Sequence, residues 1–202
     1  MSRLPSLDHL STSGILLTLL TWGGLFGCAA KGDRAITVYG GRYFDNSLPD
    51  EILQFRPLDP LDSYLATVAY SEVLSRRDRY RWEAEGQVAQ HFGDQDHLEI
   101  NGLFIFRWLA FPWNEYVRTG FAIGDGLSYA LETPKLEEET HLDEGGTNQL
   151  LNYFLLELTL AAPSWKRWSI IGRVHHRSGI FGLFDGVDGG SNILALGLRY
   201  EF

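Results

Sequence analysis

The chain has little cysteine, no surplus of positive charge and, after its first segment, no long apolar run. Cys28 is the one cysteine, which excludes a disulfide framework and any zinc site built from Cys pairs. Lys and Arg number 17 against 26 Asp and Glu, a net charge of −9, so a nucleic-acid partner requiring a basic face is excluded. No segment beyond the N-terminus has the ~18 consecutive apolar residues of a spanning helix. Mean hydropathy is −0.12, which excludes a bundle of transmembrane helices. No repeat of about 20–50 residues is present, and no segment is of low complexity. What the 202 residues do contain is 22 Gly, 12 Phe, 9 Tyr and 6 Trp. With 45% apolar and 21% charged residues, intrinsic disorder is excluded for most of the chain. The length suits one domain, or one domain with a tail. A β-barrel in a membrane survives every exclusion, because half of its residues can be polar.

Residues 14–27, Gly-Ile-Leu-Leu-Thr-Leu-Leu-Thr-Trp-Gly-Gly-Leu-Phe-Gly, follow Arg3 and end in Cys28-Ala29-Ala30. A charged residue, an apolar core and small residues at the cut are the layout of a secretory signal over residues 1–30. The run is shorter than the ~20 residues of a membrane anchor. Cleavage after Ala30 leaves Lys31 first. The alternative cut precedes Cys28, where Leu25-Phe26-Gly27-Cys28 resembles a bacterial lipobox and would make the chain a lipoprotein. Both Arg3 and Asp8 leave with the signal, so the mature charge stays negative.

The mature part, 31–202, alternates apolar and polar residues in segment after segment. The pattern predicts strands over 34–44, 63–74, 80–92, 97–110, 116–131, 149–161, 168–178 and 191–202. In the last, Leu194, Leu196, Leu198, Tyr200 and Phe202 share one face, and Ala195, Gly197, Arg199 and Glu201 the other. The segments 80–92, 97–110 and 149–161 repeat the theme. A soluble barrel would hold its apolar face inside, and a two-sheet sandwich would wet its polar face. Eight strands enclose a space just wide enough for side chains, which a full series of Leu, Phe, Tyr and Trp would overfill. The expected fold is therefore an all-β, eight-stranded antiparallel transmembrane β-barrel with its bulky face in lipid. Its interior is then a charge network of Arg81, Glu83, Glu85, Glu99, Arg107, Glu157 and Arg199. Long connections at 45–62, 132–148 and 179–190 alternate with short ones, as in bacterial outer-membrane barrels, and the terminal Phe202 resembles their assembly signal. The cell outer membrane is the expected location. The acidic stretch Lys135–Glu144 reads as a solvated outer loop.

Strand 168–178 carries candidate chemistry. His176 and Ser178 lie on its lipid face with Cα atoms roughly 6.6 Å apart, so an imidazole can reach a hydroxyl. Polar groups on a lipid face tend to mark function, although an interfacial pair can simply contact headgroups. The adjacent His175 points inward, so the doublet is not a metal pair. Asp185 and Asp188 sit in Asp-Gly turns, and that loop lacks the oxygen spacing of a calcium site. No cofactor is indicated.

His176-Arg177-Ser178, a Gly-rich loop, Gly190-Ser191-Asn192 and a strand ending Gly197-Leu198-Arg199-Tyr200 together resemble the outer-membrane lipid A 3-O-deacylases, the PagL-like acyloxyacyl hydrolases. The motif covers about 27 residues, and the barrel layout covers the mature chain. The resemblance implies a carboxylic ester hydrolase with Ser178 as nucleophile and His176 as general base. It departs in two places. Gly179 stands where the family usually has Asn, and Asn192 stands nearest to the position of the family's acid. Asn192 could orient His176, or Asp188 or Asp185 could supply the carboxylate. Lipopolysaccharide, through its lipid A, and outer-membrane lipid are the implied partners, with a homodimer left open. The other reading of the same fold is a non-catalytic barrel with a structural or surface-interaction role.

Overall fold

The computed structural model describes residues 32–45, 57–140, 146–180, 182–184, 186, 187 and 189–202. The expected signal over 1–30, with Cys28, lies outside the described residues, as do Asp185 and Asp188. Eight strands form one closed antiparallel barrel: β1 Arg34–Phe44, β2 Pro60–Arg76, β3 Tyr80–Gly93, β4 His97–Trp108, β5 Arg118–Ala130, β6 Leu150–Ala161, β7 Trp168–Ser178 and β8 Gly190–Glu201. Each pairs with the next, and β8 returns to β1 through pairs such as Val38 with Leu198 and Tyr39 with Gly197.

The strands follow the alternation closely, with differences at their ends. β2 is longer than expected, reaching from Pro60 to Arg76. β4 stops at Trp108 because the following turn is organised by Asn114. Its side chain donates to Leu109 O at 2.6 Å and accepts from the Thr119 N–H at 2.9 Å. Residues 135–140 form a short helix, α1 (Lys135–Thr140), where a plain loop was expected. Pro134 precedes it, the Glu138 N–H donates to Pro134 O at 3.1 Å, and Glu137 and Glu138 lie in its first turn, the end that favours negative charge.

Alternation decides inside from outside. Leu196 is 72% exposed, whereas its neighbour Ala195 is 4% exposed. Val68, Val88, Ile100 and Phe104 are also exposed, one on each of β2 and β3 and two on β4. This outer belt is bounded by aromatic pairs at both ends, the arrangement of a lipid-facing barrel surface. At the end holding the chain terminus, Trp168 packs on Tyr200 at 4.7 Å and Trp82 on Phe106 at 5.2 Å. At the other end, Tyr64 stacks on Phe92 at 5.8 Å.

The interior holds every member of the expected charge network. Arg107 bonds Glu83 at 2.9 Å and Glu157 at 2.7 Å. Arg173 bonds Glu157 and also Glu85, at 2.9 Å, on a strand across the barrel. Arg199 reaches Glu83 at 3.1 Å, and Arg81 is paired with Glu83 and Glu201. The expectation that bulky side chains all face lipid needs correction. Tyr39, Tyr43, Leu65, Ile171 and Ile193 form one buried cluster inside, and Leu103, Ile105, Tyr153 and Leu155 another. They fit because glycine faces them: a Cβ on Gly197 would lie 2.5 Å from Tyr39 Cβ and 2.2 Å from Val38 O. The tyrosine hydroxyls are satisfied, Tyr39 donating to Gln87 at 2.8 Å and Tyr43 meeting His91 Nδ1 at 2.7 Å.

Leu196→Arg should impair membrane assembly far more than Ala195→Ser. Arginine near the bilayer midplane costs about 2–4 kcal/mol, and a hydroxyl toward a polar lumen costs little. The measurement is the folded fraction by heat-modifiable gel migration in lipid vesicles; equal folded yields would contradict the assignment.

Candidate functional site

β7 runs toward the end that bears the long connections, so its last residues lie at the outer rim. His176 there faces Phe154 of β6 and Asn192 of β8 in register, and Ser178 faces Asn152 and Gly190. His176, Ser178 and Asn192 thus share the outward surface. His176 Nδ1 lies 2.7 Å from Asn192 Oδ1. An amide oxygen only accepts, so Nδ1 carries a proton, and in the neutral imidazole Nε2 then keeps its lone pair. The imidazole also packs edge-on to Phe154, centroids 6.4 Å apart, which fixes its plane. The His176 ring is therefore held in one orientation two residues from Ser178. No hydrogen bond joins His176 to Ser178 among the described residues; such contacts in free enzymes are often long and tighten with substrate. His175 points inward instead, with Nε2 3.0 Å from Glu99.

The patch extends further than expected. Asp125, on the outward face of β5, accepts from Asn152 Nδ2 at 3.0 Å, and the same amide donates to Gly126 O at 3.0 Å. Both N–H groups of Asn152 are thereby used. The result is a polar band across β5–β8 on an otherwise apolar surface: Asp125, Asn152, Ser178, His176 and Asn192. Asp125 and Asn152 were legible only as polar residues at outward parity in their strands. Their importance comes from cross-strand register, which the sequence does not display.

Gly179 follows Ser178 and its N–H donates to Gly189 O at 3.1 Å. A Cβ there would meet Val187 O at 1.9 Å, so this loop accepts only glycine. Ile180 next to it has φ of +48°, the left-handed region that a β-branched residue rarely adopts. The chain departs from the expected Asn after the serine for a backbone reason.

No protein-family model matches the chain, and no curated protein does. Solved structures similar to it include the outer membrane enzyme PagL, at 11% identity and a TM-score of 0.48, covering 83% of this chain and 99% of that one. Neisserial surface protein A has 10% identity and a TM-score of 0.48, covering 84% and 96%. Ail, the attachment invasion locus protein of Yersinia pestis, has 15% identity and a TM-score of 0.38, covering 84% and 99%. The closed strand order, the apolar outer belt, the aromatic ends and the polar interior are properties of the chain itself. It is an outer-membrane β-barrel.

The outer mouth of the barrel corrects one expectation. Glu137 of α1 is not solvated but buried. Its carboxylate accepts from Arg177 Nη1 at 2.5 Å, Ser191 Oγ at 2.6 Å and Thr147 Oγ1 at 2.7 Å. Arg177 is held further by Ser128 Oγ and by the carbonyls of Asn148 and Gln149. Helix α1 and Thr147, in the β5–β6 connection, are thus pinned beside the His176 strand. Glu137→Ala should remove this pin and leave Arg177 without the nearer of its two carboxylates, Glu99 remaining at 3.8 Å, at a cost of up to about 3–5 kcal/mol for a buried pair. Limited proteolysis in vesicles should then cut the 131–149 connection faster while the barrel band persists; an unchanged cutting rate would contradict the pinning.

Proposed function

We propose that this barrel is a serine-dependent esterase that removes an ester-linked acyl chain from lipid A of lipopolysaccharide in the outer leaflet. The observation that carries the reading is the 2.7 Å contact of His176 Nδ1 with Asn192 Oδ1 on the lipid-facing surface at the outer rim. A lipid ester approaching from the leaflet meets Ser178 directly, without leaving the membrane. Ser178 Oγ attacks the ester carbonyl, and His176 Nε2 takes its proton and returns it to the departing alkoxide. Water, activated by the same nitrogen, then frees the acyl chain and restores Ser178. Asn192 keeps the imidazole in the required tautomer without carrying charge, the role an amide takes in Cys-His-Asn hydrolases. Asp188, in the sequence between β7 and β8, is the proposed carboxylate member of the triad. Residues 1–30 act as the export signal in this proposal.

A second reading has its own observation. Gly179 has no side chain to offer a tetrahedral intermediate, and its N–H is already bonded to Gly189 O. That favours a non-catalytic barrel whose polar band binds lipid headgroups or a surface partner.

Mass spectrometry of lipid A from cells with and without the protein separates the two. Ser178→Ala should abolish acyl release, by about 10³-fold or more, in a barrel that still folds, and His176→Ala should be nearly as damaging because the two act as one unit. Asn192→Ala and Asp188→Ala should each give partial loss, and Asp185→Ala less. Deacylation by folded Ser178→Ala would overturn the mechanism. A wild-type barrel that releases no acyl chain from any lipid A would establish the non-catalytic reading.

A further inference from the structure

The outer end of the β3–β4 hairpin gathers three metal-ligating side chains inside the barrel. His91 and His97 are direct cross-strand partners, and Glu99 is two residues further along β4 on the same inward face. All three are buried, and one ligand atom of each lies within 4.8 Å of those of the other two. The two imidazoles stack in parallel at 4.2 Å. A neutral imidazole keeps one ring nitrogen with a lone pair, the atom that ligates a metal. Nε2 of His91 and Nε2 of His97 are buried with no hydrogen-bond partner, although His91 Nε2 is 3.2 Å from Glu99 Oε2. Gln95, in the same hairpin turn, is buried with both amide atoms unpartnered. Buried polar atoms are rarely left so, and several in one place call for a ligand.

Charge points the same way. In the inner half of the lumen, Arg81, Arg107, Arg173 and Arg199 face Glu83, Glu85, Glu157 and Glu201, an even balance. In the outer half, among the described residues, Arg177 is the one guanidinium paired with Glu99 and Glu137, and His175 Nε2 also lies 3.0 Å from Glu99. Two carboxylates therefore share one guanidinium beside the stacked imidazoles.

We propose that His91, His97 and Glu99 bind one divalent transition-metal ion of the zinc class. Two imidazole nitrogens and a carboxylate are the donor set of a three-ligand zinc site with a fourth position for water, and imidazole selects against magnesium and calcium. Bonds of about 2.0–2.1 Å in a tetrahedron place ligand atoms about 3.4 Å apart. The site reaches that spacing by side-chain rotation of His97 out of its stack. Tyr43, whose hydroxyl is 2.7 Å from His91 Nδ1, then accepts from that nitrogen and directs Nε2 to the metal. The ion would tie β3 to β4 at the rim and give the Glu99 carboxylate a further cationic partner. This site is separate from Ser178 and does not rest on the esterase reading.

The test uses the untagged, full-length barrel folded in detergent micelles. After equilibration with Zn²⁺ and dialysis, elemental analysis should find about one zinc per barrel. Replacement by Co²⁺ should give the intense visible absorption of a four-coordinate site. His97→Ala, the ligand with no side-chain hydrogen bond among the described residues, should weaken binding at least about 10-fold. Glu99→Gln should do the same, and Ser178→Ala should leave the zinc content unchanged. Folding of each variant is checked by heat-modifiable migration. Wild-type barrel that retains no metal, or folded His97→Ala that retains as much as wild type, would overturn the proposal.

Discussion

Everything in this barrel depends on the pairing of arginine with glutamate inside it. Arg107, Arg173 and Arg199 are buried, and each reaches a carboxylate on another strand. The bonds cross the lumen: Arg173 of β7 holds Glu85 of β3, and Arg199 of β8 holds Glu83 of β3. A charge in this interior is tolerable only when paired, since breaking one buried pair costs about 3–5 kcal/mol. The network therefore fixes the register around the barrel and fills the space that eight strands enclose. With the interior committed to charge, tyrosine and the few aliphatic clusters beside it, the other face of every strand must be apolar and face lipid.

That commitment gives meaning to the exceptions on the outer surface. Asp125, Asn152, Ser178, His176 and Asn192 lie where Leu, Val and Phe otherwise stand. Two contacts hold the band together, Asn152 on Asp125 and His176 on Asn192, so these four groups are partnered rather than stranded in hydrocarbon, with Ser178 between the two pairs. The band sits at the outer end of β5–β8, beside the connection pinned by Glu137 on Arg177. Inner network, outer band and pinned loop meet in β7, whose residues point alternately into each.

Strand identity was legible because the period of two is written in residues such as Leu194, Leu196 and Leu198 against Ala195, Gly197 and Arg199. Arg81, Glu83, Arg107 and Glu157 could be placed inside from parity and volume alone. His176, Ser178 and Asn192 could be placed on one outward surface because two of them share a strand and the third has the outward parity of the next strand. What escaped was whatever depends on register between distant segments. Glu137 sits in a run of acids that looks solvated, and only its meeting with Arg177 and Ser191 makes it a buried residue. Tyr39 inside the barrel depends on Gly197 lying opposite it in β8, 158 positions along. His91 and His97 become neighbours only through the hairpin pairing of β3 with β4.

The central claim is that alternate residues of these strands face lipid and a closed charged interior. Nitroxide labels placed singly at Val68, Val88, Ile100 and Leu196 in vesicle-reconstituted barrel test it most directly. Collision with oxygen, which concentrates in lipid, should be high at all four, and collision with a water-soluble nickel chelate low. Labels at Ala69, Ala89 and Ala195 should be immobile and shielded from both. High collision with the nickel chelate at the first four sites would contradict the account.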